Sequence, residues 1–229
     1  MIILALETSG YGGSVALLDN DSLLAELPLN AGQRSAQSLA PAIAEVLATA
    51  GRRAAEVQLV AITVGPGSFT SLRVGVTTAK AFAYAVGAEV LGVDTLEAIA
   101  AETTRAAGDA DADGLTIAAA IDAQRGDVYA ARFRACGNQL DRLTATAICP
   151  AGEWLASLES GWQATGPALE SLGARLPAGV LDAPRDAWMP TAATVGRLAA
   201  AKYAAGCRDD LWKLAPVYLR KSAAEEKRG

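Results

Sequence analysis

The first hundred residues alternate short apolar runs with longer segments of helical periodicity, separated by small-residue turns. Residues 2–6 and 59–64 are continuous apolar runs, which is typical of strands buried on both faces of a sheet. Residues 14–18 and 23–29 flank an Asp-Asn-Asp turn and predict an antiparallel hairpin. This pattern predicts a sheet in which the hairpin follows the first buried strand.

Two helices are predicted at residues 33–50 and 69–86, where apolar side chains recur at intervals of three and four. A short strand at residues 89–93 and a helix ending near 107 follow them. Asp94 is predicted to cap that last helix, because its carboxylate can accept a bond from an unpaired backbone N–H. The alternation of strands and helices favours the α/β class.

The second half of the chain partly repeats the first. An apolar run ends at Asp122, as the first run ends at Glu7, and a small-residue turn and an alternating strand follow each acid. Each half would carry this carboxylate at the end of its first strand, facing a shared cleft. The predicted order is subdomain, linker, subdomain and charged tail, at residues 1–107, 108–114, 115–220 and 221–229.

Further elements are predicted in the second half from the same patterns. Residues 127–133 alternate like a strand, and residues 140–148 are predicted to pair with them. The remaining predictions are a short strand at 162–165 and helices near 150–158, 168–176 and 191–205.

Composition and charge exclude several classes of function. The net charge of −5 and the sequence pI near 4.9 argue against a chain that grips nucleic acid with its own surface. The chain has no histidine, which removes His-based catalytic triads and imidazole metal sites. Three scattered cysteines favour a reducing cytoplasm, and no apolar run is long enough to cross a bilayer.

Residues 65–75 (GPGSFTSLRVG) form the central turn between the strand at 59–64 and the helix that follows. Ser68 is predicted to cap this helix, whose N-terminus would attract an anion. The loop is not a P-loop, because the first lysine after it is Lys80, deep in the helix. A turn that lets the helix pack closely against the sheet is the alternative interpretation.

Four motifs, in this order along the chain, resemble those of the TsaB (YeaZ) family. The central stretch at residues 65–75 is similar to the family's GPGSFTGLRVG signature. Three other segments resemble further motifs of the family. Its opening is matched by residues 4–9 (LALETS), its second carboxylate turn by residues 121–129 (IDAQRGDVY) and its terminal motif by residues 216–220 (PVYLR). Two departures are Glu7, where the family usually has Asp, and Ser71, where it has Gly.

The resemblance implies an α/β fold of two ribonuclease-H-like subdomains, of the actin/Hsp70/sugar-kinase (ASKHA) type. It implies a cytoplasmic, non-catalytic scaffold subunit for threonylcarbamoyladenosine formation on tRNA. Such a subunit dimerises with a TsaD-type catalytic paralogue, helps to recruit a TsaE-type ATPase and meets tRNA only indirectly. A homodimer is expected when the chain is alone, with no membrane association and no metal site. Weak binding of ATP or ADP with Mg²⁺ in the complex stays open.

Two sets of residues are candidates for function. The cleft turns at Glu7, Thr8, Ser9 and Asp122 are candidates for weak nucleotide binding, or else they accept N–H bonds within their own turns. Small or exposed positions on the first two helices are predicted to form a helix-on-helix partner interface: Ala36, Ala40, Ala44, Thr70, Arg73, Thr77, Ala81 and Tyr84. The alternative function is a catalytically active ASKHA kinase or carbamoyl-type transferase that uses Glu7 and Asp122 with a hydrated Mg²⁺.

Overall fold

The computed structural model describes residues 1–10, 12–29, 35–108, 113–137 and 139–220, without the side chains of 35–37. Strands and helices follow in the order β1 (Ile2–Glu7), β2 (Gly13–Asp19), β3 (Ser22–Leu29), α1 (Ser35–Thr49), β4 (Val57–Gly65), α2 (Phe69–Val86), β5 (Glu89–Asp94), α3 (Thr95–Ala107), β6 (Thr116–Asp122), β7 (Asp127–Cys136), β8 (Gln139–Arg142), β9 (Ala147–Pro150), α4 (Ala151–Ala156), β10 (Gln163–Thr165), α5 (Leu169–Leu172), β11 (Leu181–Asp182) and α6 (Ala192–Ala204). None of the described helices combines the length and the apolar character that a bilayer crossing requires.

The first sheet has the strand order β3-β2-β1-β4-β5. β1, β2 and β3 are antiparallel neighbours, whereas β4 runs parallel to β1 and β5 runs parallel to β4. Every residue of β1 is buried because helices cover both faces of the sheet. Leu4 and Leu6 pack in one core with α1 and α2. On the other face Gly196 of α6 lies against Leu18 and Ala5, where a larger residue would clash.

The second sheet repeats this arrangement with the order β8-β7-β6-β10-β11. β6, β7 and β8 are antiparallel neighbours, and β10 and β11 extend the sheet in parallel from β6. α3 covers one face, where Leu96 and Ile99 pack with Phe133. α4 and α5 cover the other, where Trp154 and Leu169 belong to one core. The repeat predicted from the sequence is therefore a duplicated topology.

The structure corrects two predicted elements in the second half. Residues 140–148 are not one strand, because β8 and β9 pair separately with β7. Between them the Oγ1 atom of Thr144 accepts the N–H of Arg132 and so replaces a ladder bond. The predicted helix at 168–176 is also interrupted, since α5 gives way to a 3₁₀ turn at Gly173–Arg175.

The chain divides into two compact units whose bounds differ from the predicted subdomains. The first unit is Met1–Thr95 with the residues from Thr191 onward, and the second is Leu96–Pro190. α6 belongs to the first unit because it covers a face of the first sheet. α3 belongs to the second unit because it covers a face of the second sheet. Of the predicted linker, residues 109–112 lie outside the described part, as does the predicted tail at 221–229.

Candidate functional site

The first carboxylate turn, at the end of β1, is buried. Only 1% of the Glu7 surface is exposed. Its Oε1 atom accepts the backbone N–H of Ser9 at 2.6 Å and also the Ser9 hydroxyl. Burial raises the pKa of Glu7 to about 7, although the bonds from Ser9 oppose the shift. The acid is thus engaged by its own turn.

The central loop packs directly on this turn. The N–H of Ser68 donates to the carbonyl oxygen of Ser9 at 2.7 Å. A Cβ atom at Gly67 would lie 2.3 Å from the same oxygen, so only glycine allows this approach. A Cβ atom at Gly75 would likewise lie 2.0 Å from Oγ1 of Thr8. These contacts favour the interpretation of the loop as a close-packing turn.

The prediction that the Ser68 side chain caps α2 with a hydrogen bond is wrong. Ser68 does occupy the N-cap position of α2, but its side chain accepts no cap bond from the backbone. Its hydroxyl lies 3.1 Å from the hydroxyl of Ser71 instead. Ser71 stands where the family signature has glycine, so the departure supplies the group that pairs with Ser68.

Asp122 occupies the corresponding turn of the second unit. Its carboxylate is exposed, and Oδ1 accepts the N–H of Gln124 at 2.7 Å. Gln124 and Arg125 take left-handed φ values of 63° and 59°, which tighten the β6–β7 hairpin. Asp122 and Glu7 therefore play the same local part, since each accepts the N–H of the residue two positions on. Within the described residues, no Cys, Asp and Glu side chains group as a metal would require.

The predicted partner-interface residues lie on the surface wherever they are described. On α2 they form one stripe, which spans about 80° of the helix at 100° per residue: Thr70, Arg73, Thr77, Ala81 and Tyr84. On α1, Ala40 and Ala44 are exposed. The side chain of Ala36 lies outside the described residues. α1 and α2 pack side by side over the same core.

Sequence reasoning missed the segment that borders α2. Residues 207–220, here called the C-terminal strap, follow α6 and have no regular helix or strand. The ammonium group of Lys80 donates to the carbonyl oxygens of Trp212 and Leu214, each at 3.0 Å. The N–H of Val217 donates to the carbonyl oxygen of Val64 at 2.7 Å. The strap therefore runs beside α2 and meets the end of β4.

The terminal motif in the strap contacts the central motif. Nε of Arg73 donates to the Tyr218 hydroxyl at 3.0 Å. The Arg73 guanidinium also stacks over the Phe69 ring, 4.0 Å from its centroid, and the Phe69 and Tyr218 centroids are 4.7 Å apart. No periodicity in the sequence links these positions. The resemblance of both segments to one family was the signal available.

Comparisons with known proteins agree with this arrangement. The family model described as "TsaD: tRNA N6-adenosine threonylcarbamoyltransferase" matches residues 26–211. The tRNA threonylcarbamoyladenosine biosynthesis protein TsaB of Bacillus subtilis is 30% identical over 159 residues, which are 69% of this chain and 66% of that protein. TsaB of Escherichia coli is 28% identical, over 99% of this chain and 98% of its own length. YeaZ from Pseudomonas aeruginosa aligns with a TM-score of 0.82 at 27% identity, over 95% of this chain and 99% of that one.

The duplicated sheet, with a carboxylate turn after the first strand of each half, defines a protein of the ASKHA class. Within this class, the motif at residues 65–75 and the TsaB and YeaZ relatives identify one family. The chain belongs to the TsaB (YeaZ) family.

Proposed function

We propose that this chain is a non-catalytic partner subunit in the formation of N6-threonylcarbamoyladenosine on tRNA, and that it dimerises with a TsaD-type transferase paralogue. One observation carries the proposal. Glu7 and Asp122, the two acids that an ASKHA enzyme would use, both accept backbone N–H bonds in their own turns. The relatives named TsaB are described as proteins of this biosynthesis.

The chemistry of the chain supports a scaffold. An ionised carboxylate is needed to hold a hydrated Mg²⁺ or to orient a nucleophile. Burial instead favours the neutral form of Glu7, whose pKa is raised to about 7. The chain also has no histidine among its 229 residues to act as a general base. The catalytic groups of the proposed complex therefore belong to the paralogue.

The partner interface of the proposal is the surface formed by α1 and α2. Ala40 and Ala44 on α1, and Thr77 and Ala81 on α2, present small exposed side chains. Small residues let helix axes approach to about 8 Å, the lower limit for packed helices. The match to the transferase family supports a partner with a related pair of helices, so a pseudo-two-fold axis would create a four-helix contact.

The other partners follow from the same proposal. A TsaE-type ATPase, and ATP or ADP with Mg²⁺, belong to the assembled complex. The net charge of −5 supports an indirect contact with tRNA, since phosphate binding requires clustered Lys and Arg. The chain acts in the cytoplasm and forms a homodimer when it is alone.

Either substitution, Ala40→Arg or Ala81→Arg, is expected to disrupt the complex with the transferase. The long cation would be buried in a closely packed contact without a partner, which costs about 3–5 kcal/mol and weakens binding at least 100-fold. The measurement is co-purification of a tagged TsaD-type transferase with each variant, followed by titration of the binding affinity. The thermal midpoint of each variant is measured as well, and it should change little because both alanines are exposed.

The matched control is Ala201→Arg. Ala201 is an exposed alanine at the start of the last turn of α6, which covers the opposite face of the first sheet. This variant should bind the transferase as the unmodified chain does. Full binding by both Ala40→Arg and Ala81→Arg would refute the interface. Equal loss in all three variants would show that arginine acts through the fold and not through this surface.

A further inference from the structure

The net charge of −5 is unevenly distributed along the chain. Residues 1–196 contain 12 Lys and Arg against 21 Asp and Glu, a net charge of −9. Residues 197–229 contain 8 Lys and Arg against 4 Asp and Glu, a net charge of +4. This basic segment includes the C-terminal strap. A basic segment at the end of an acidic chain indicates a local contact with a polyanion, which the net charge of the whole chain conceals.

The two acidic residues of the strap hold it in place. Oδ2 of Asp209 accepts the N–H of Gly92 on β5 at 2.8 Å. Oδ1 of Asp210 accepts the N–H groups of Trp212 and Lys213, at 2.8 and 3.2 Å. The side chain of Lys213 is 86% exposed, and its ammonium group lies 3.8 Å from Oδ2 of Asp210. An exposed ion pair of this length contributes little, so the ammonium group can turn to a phosphate.

Trp212 presents an aromatic surface next to this cation. It is 72% exposed and Tyr84 is 68% exposed, the two highest fractions among the exposed large hydrophobic residues of the described chain. The two rings meet edge-on, with the centroids 5.6 Å apart. The carbonyl oxygen of Trp212 accepts the ammonium group of Lys80 at 3.0 Å. The indole is therefore exposed but positioned, and it loses little conformational entropy when another ring covers it.

An exposed aromatic ring next to an exposed cation is the combination that binds unpaired nucleotides. A base stacks on the ring, because every base has a π-face, and the cation pairs with the phosphate beside it. In a duplex the bases are already stacked on one another, so such a site selects loops and single strands. The tRNA of the proposed function is a polyanion that carries unpaired bases in its loops.

We propose that the C-terminal strap binds an unpaired base of the substrate tRNA, with the base stacked on Trp212 and the adjoining phosphate at the ammonium group of Lys213. The inference rests on the proposed function and adds one direct contact to a tRNA that the transferase otherwise holds. Trp212 contacts Tyr84 of the α2 stripe, so the strap borders the surface proposed for the transferase. One base and one phosphate give weak binding when the chain is alone.

Trp212→Ala tests the stacking contact in the full chain. Fluorescence anisotropy of a labelled tRNA transcript measures the dissociation constant at about 50 mM salt, where phosphate contacts are strong. One stacked base contributes about 5- to 150-fold in affinity, so the dissociation constant should rise about fivefold or more. Trp212→Phe keeps an aromatic ring and should recover most of the affinity. An unchanged dissociation constant in Trp212→Ala, or no binding by the unmodified chain, overturns the inference.

Leu181→Ala is the matched control for the loss of an exposed side chain. Leu181 is 57% exposed and lies in the second unit. Its variant should bind the tRNA transcript as the unmodified chain does. An equal loss of affinity in Leu181→Ala and Trp212→Ala would show that the effect does not come from the strap, and it would overturn the inference.

The salt dependence of binding tests the phosphate contact. Loss of one phosphate contact lowers the slope of log K against log[salt] by about 0.7 for an unpaired strand, so Lys213→Ala should show a slope smaller by this amount. Arg175→Ala is the control, because Arg175 is an exposed cation of the second unit. It should keep the slope of the unmodified chain. An unchanged slope in Lys213→Ala would contradict the phosphate contact.

Two further titrations separate stacking from charge and this inference from the proposed function. A fully paired RNA duplex of the same length should bind more weakly than the tRNA transcript, and equal affinities would overturn the stacking contact. Trp212→Ala should bind the transferase as the unmodified chain does. A variant that loses the transferase but keeps its affinity for tRNA would refute the inference and leave the proposed function in place. Failure of the proposed function would appear instead as an unmodified chain that binds tRNA but not the transferase.

Discussion

Gly67→Ala is expected to lower the free energy of unfolding by about 3 kcal/mol, the upper end of the usual cost of overpacking. The added Cβ atom would lie 2.3 Å from the carbonyl oxygen of Ser9 and 3.1 Å from its carbonyl carbon. Both are backbone atoms, and the same carbonyl accepts the N–H of Ser68. Relief of the clash would therefore separate the central loop from the turn at the end of β1. Denaturant unfolding at neutral pH measures the loss.

Gly12→Ala is the control for this substitution. Gly12 lies in the turn between β1 and β2, and a Cβ atom there meets nothing within 4 Å. Its free energy of unfolding should stay within about 0.5 kcal/mol of that of the unmodified chain. Similar losses in both variants would mean that the contact between Gly67 and Ser9 does not fix the central loop.

Glu7→Gln is expected to remove a pH dependence of stability. Burial raises the pKa of Glu7 from 4.5 to about 7, so the folded chain binds this proton more tightly than the unfolded chain does. The stabilisation by the neutral acid is complete below pH 4.5 and is lost as the pH rises through about 7. At 1.36 kcal/mol per pKa unit, the loss is about 3 kcal/mol. Glutamine keeps an oxygen that can accept the Ser9 bonds but does not titrate.

Denaturant unfolding of both proteins between pH 4 and pH 8.5 measures this effect. The stability of Glu7→Gln relative to the unmodified chain should rise by about 3 kcal/mol between pH 4.5 and pH 8. Glu45→Gln, at an exposed position on α1, should show no such rise. A constant difference between Glu7→Gln and the unmodified chain would contradict a buried, proton-retaining acid at the end of β1.

Local pattern was sufficient to predict the elements around the site. The helix predicted at 69–86 is observed as Phe69–Val86, because a glycine-rich turn begins it and Gly87, with a φ of 73°, ends it. The repeat around Glu7 and Asp122 predicted the duplicated sheets. In each half an apolar strand ends at an acidic residue, and a short turn then leads into a second strand that pairs antiparallel with the first. The interpretation that each acid accepts an N–H bond within its own turn is also confirmed.

Contacts between distant segments could not be predicted in this way. Arg73 and Tyr218 are 145 positions apart, and nothing in the local spacing of either predicts their hydrogen bond. The place of α6 in the first unit depends on which sheet face remains uncovered, which is a tertiary property. The position of the central loop depends on another contact of this kind, because the carbonyl oxygen of Ser9 accepts the backbone N–H of Ser68.

Turnover by the purified chain tests the scaffold account most directly. The chain alone, with ATP, Mg²⁺, a threonylcarbamoyl donor and tRNA, should show neither ATP hydrolysis nor modified tRNA. Addition of a TsaD-type transferase and a TsaE-type ATPase should produce threonylcarbamoyladenosine, with Asp122→Asn as active as the unmodified chain and Ala81→Arg inactive. Robust turnover by the chain alone that is lost in Glu7→Gln or Asp122→Asn would contradict the account, because these carboxylates would then be catalytic.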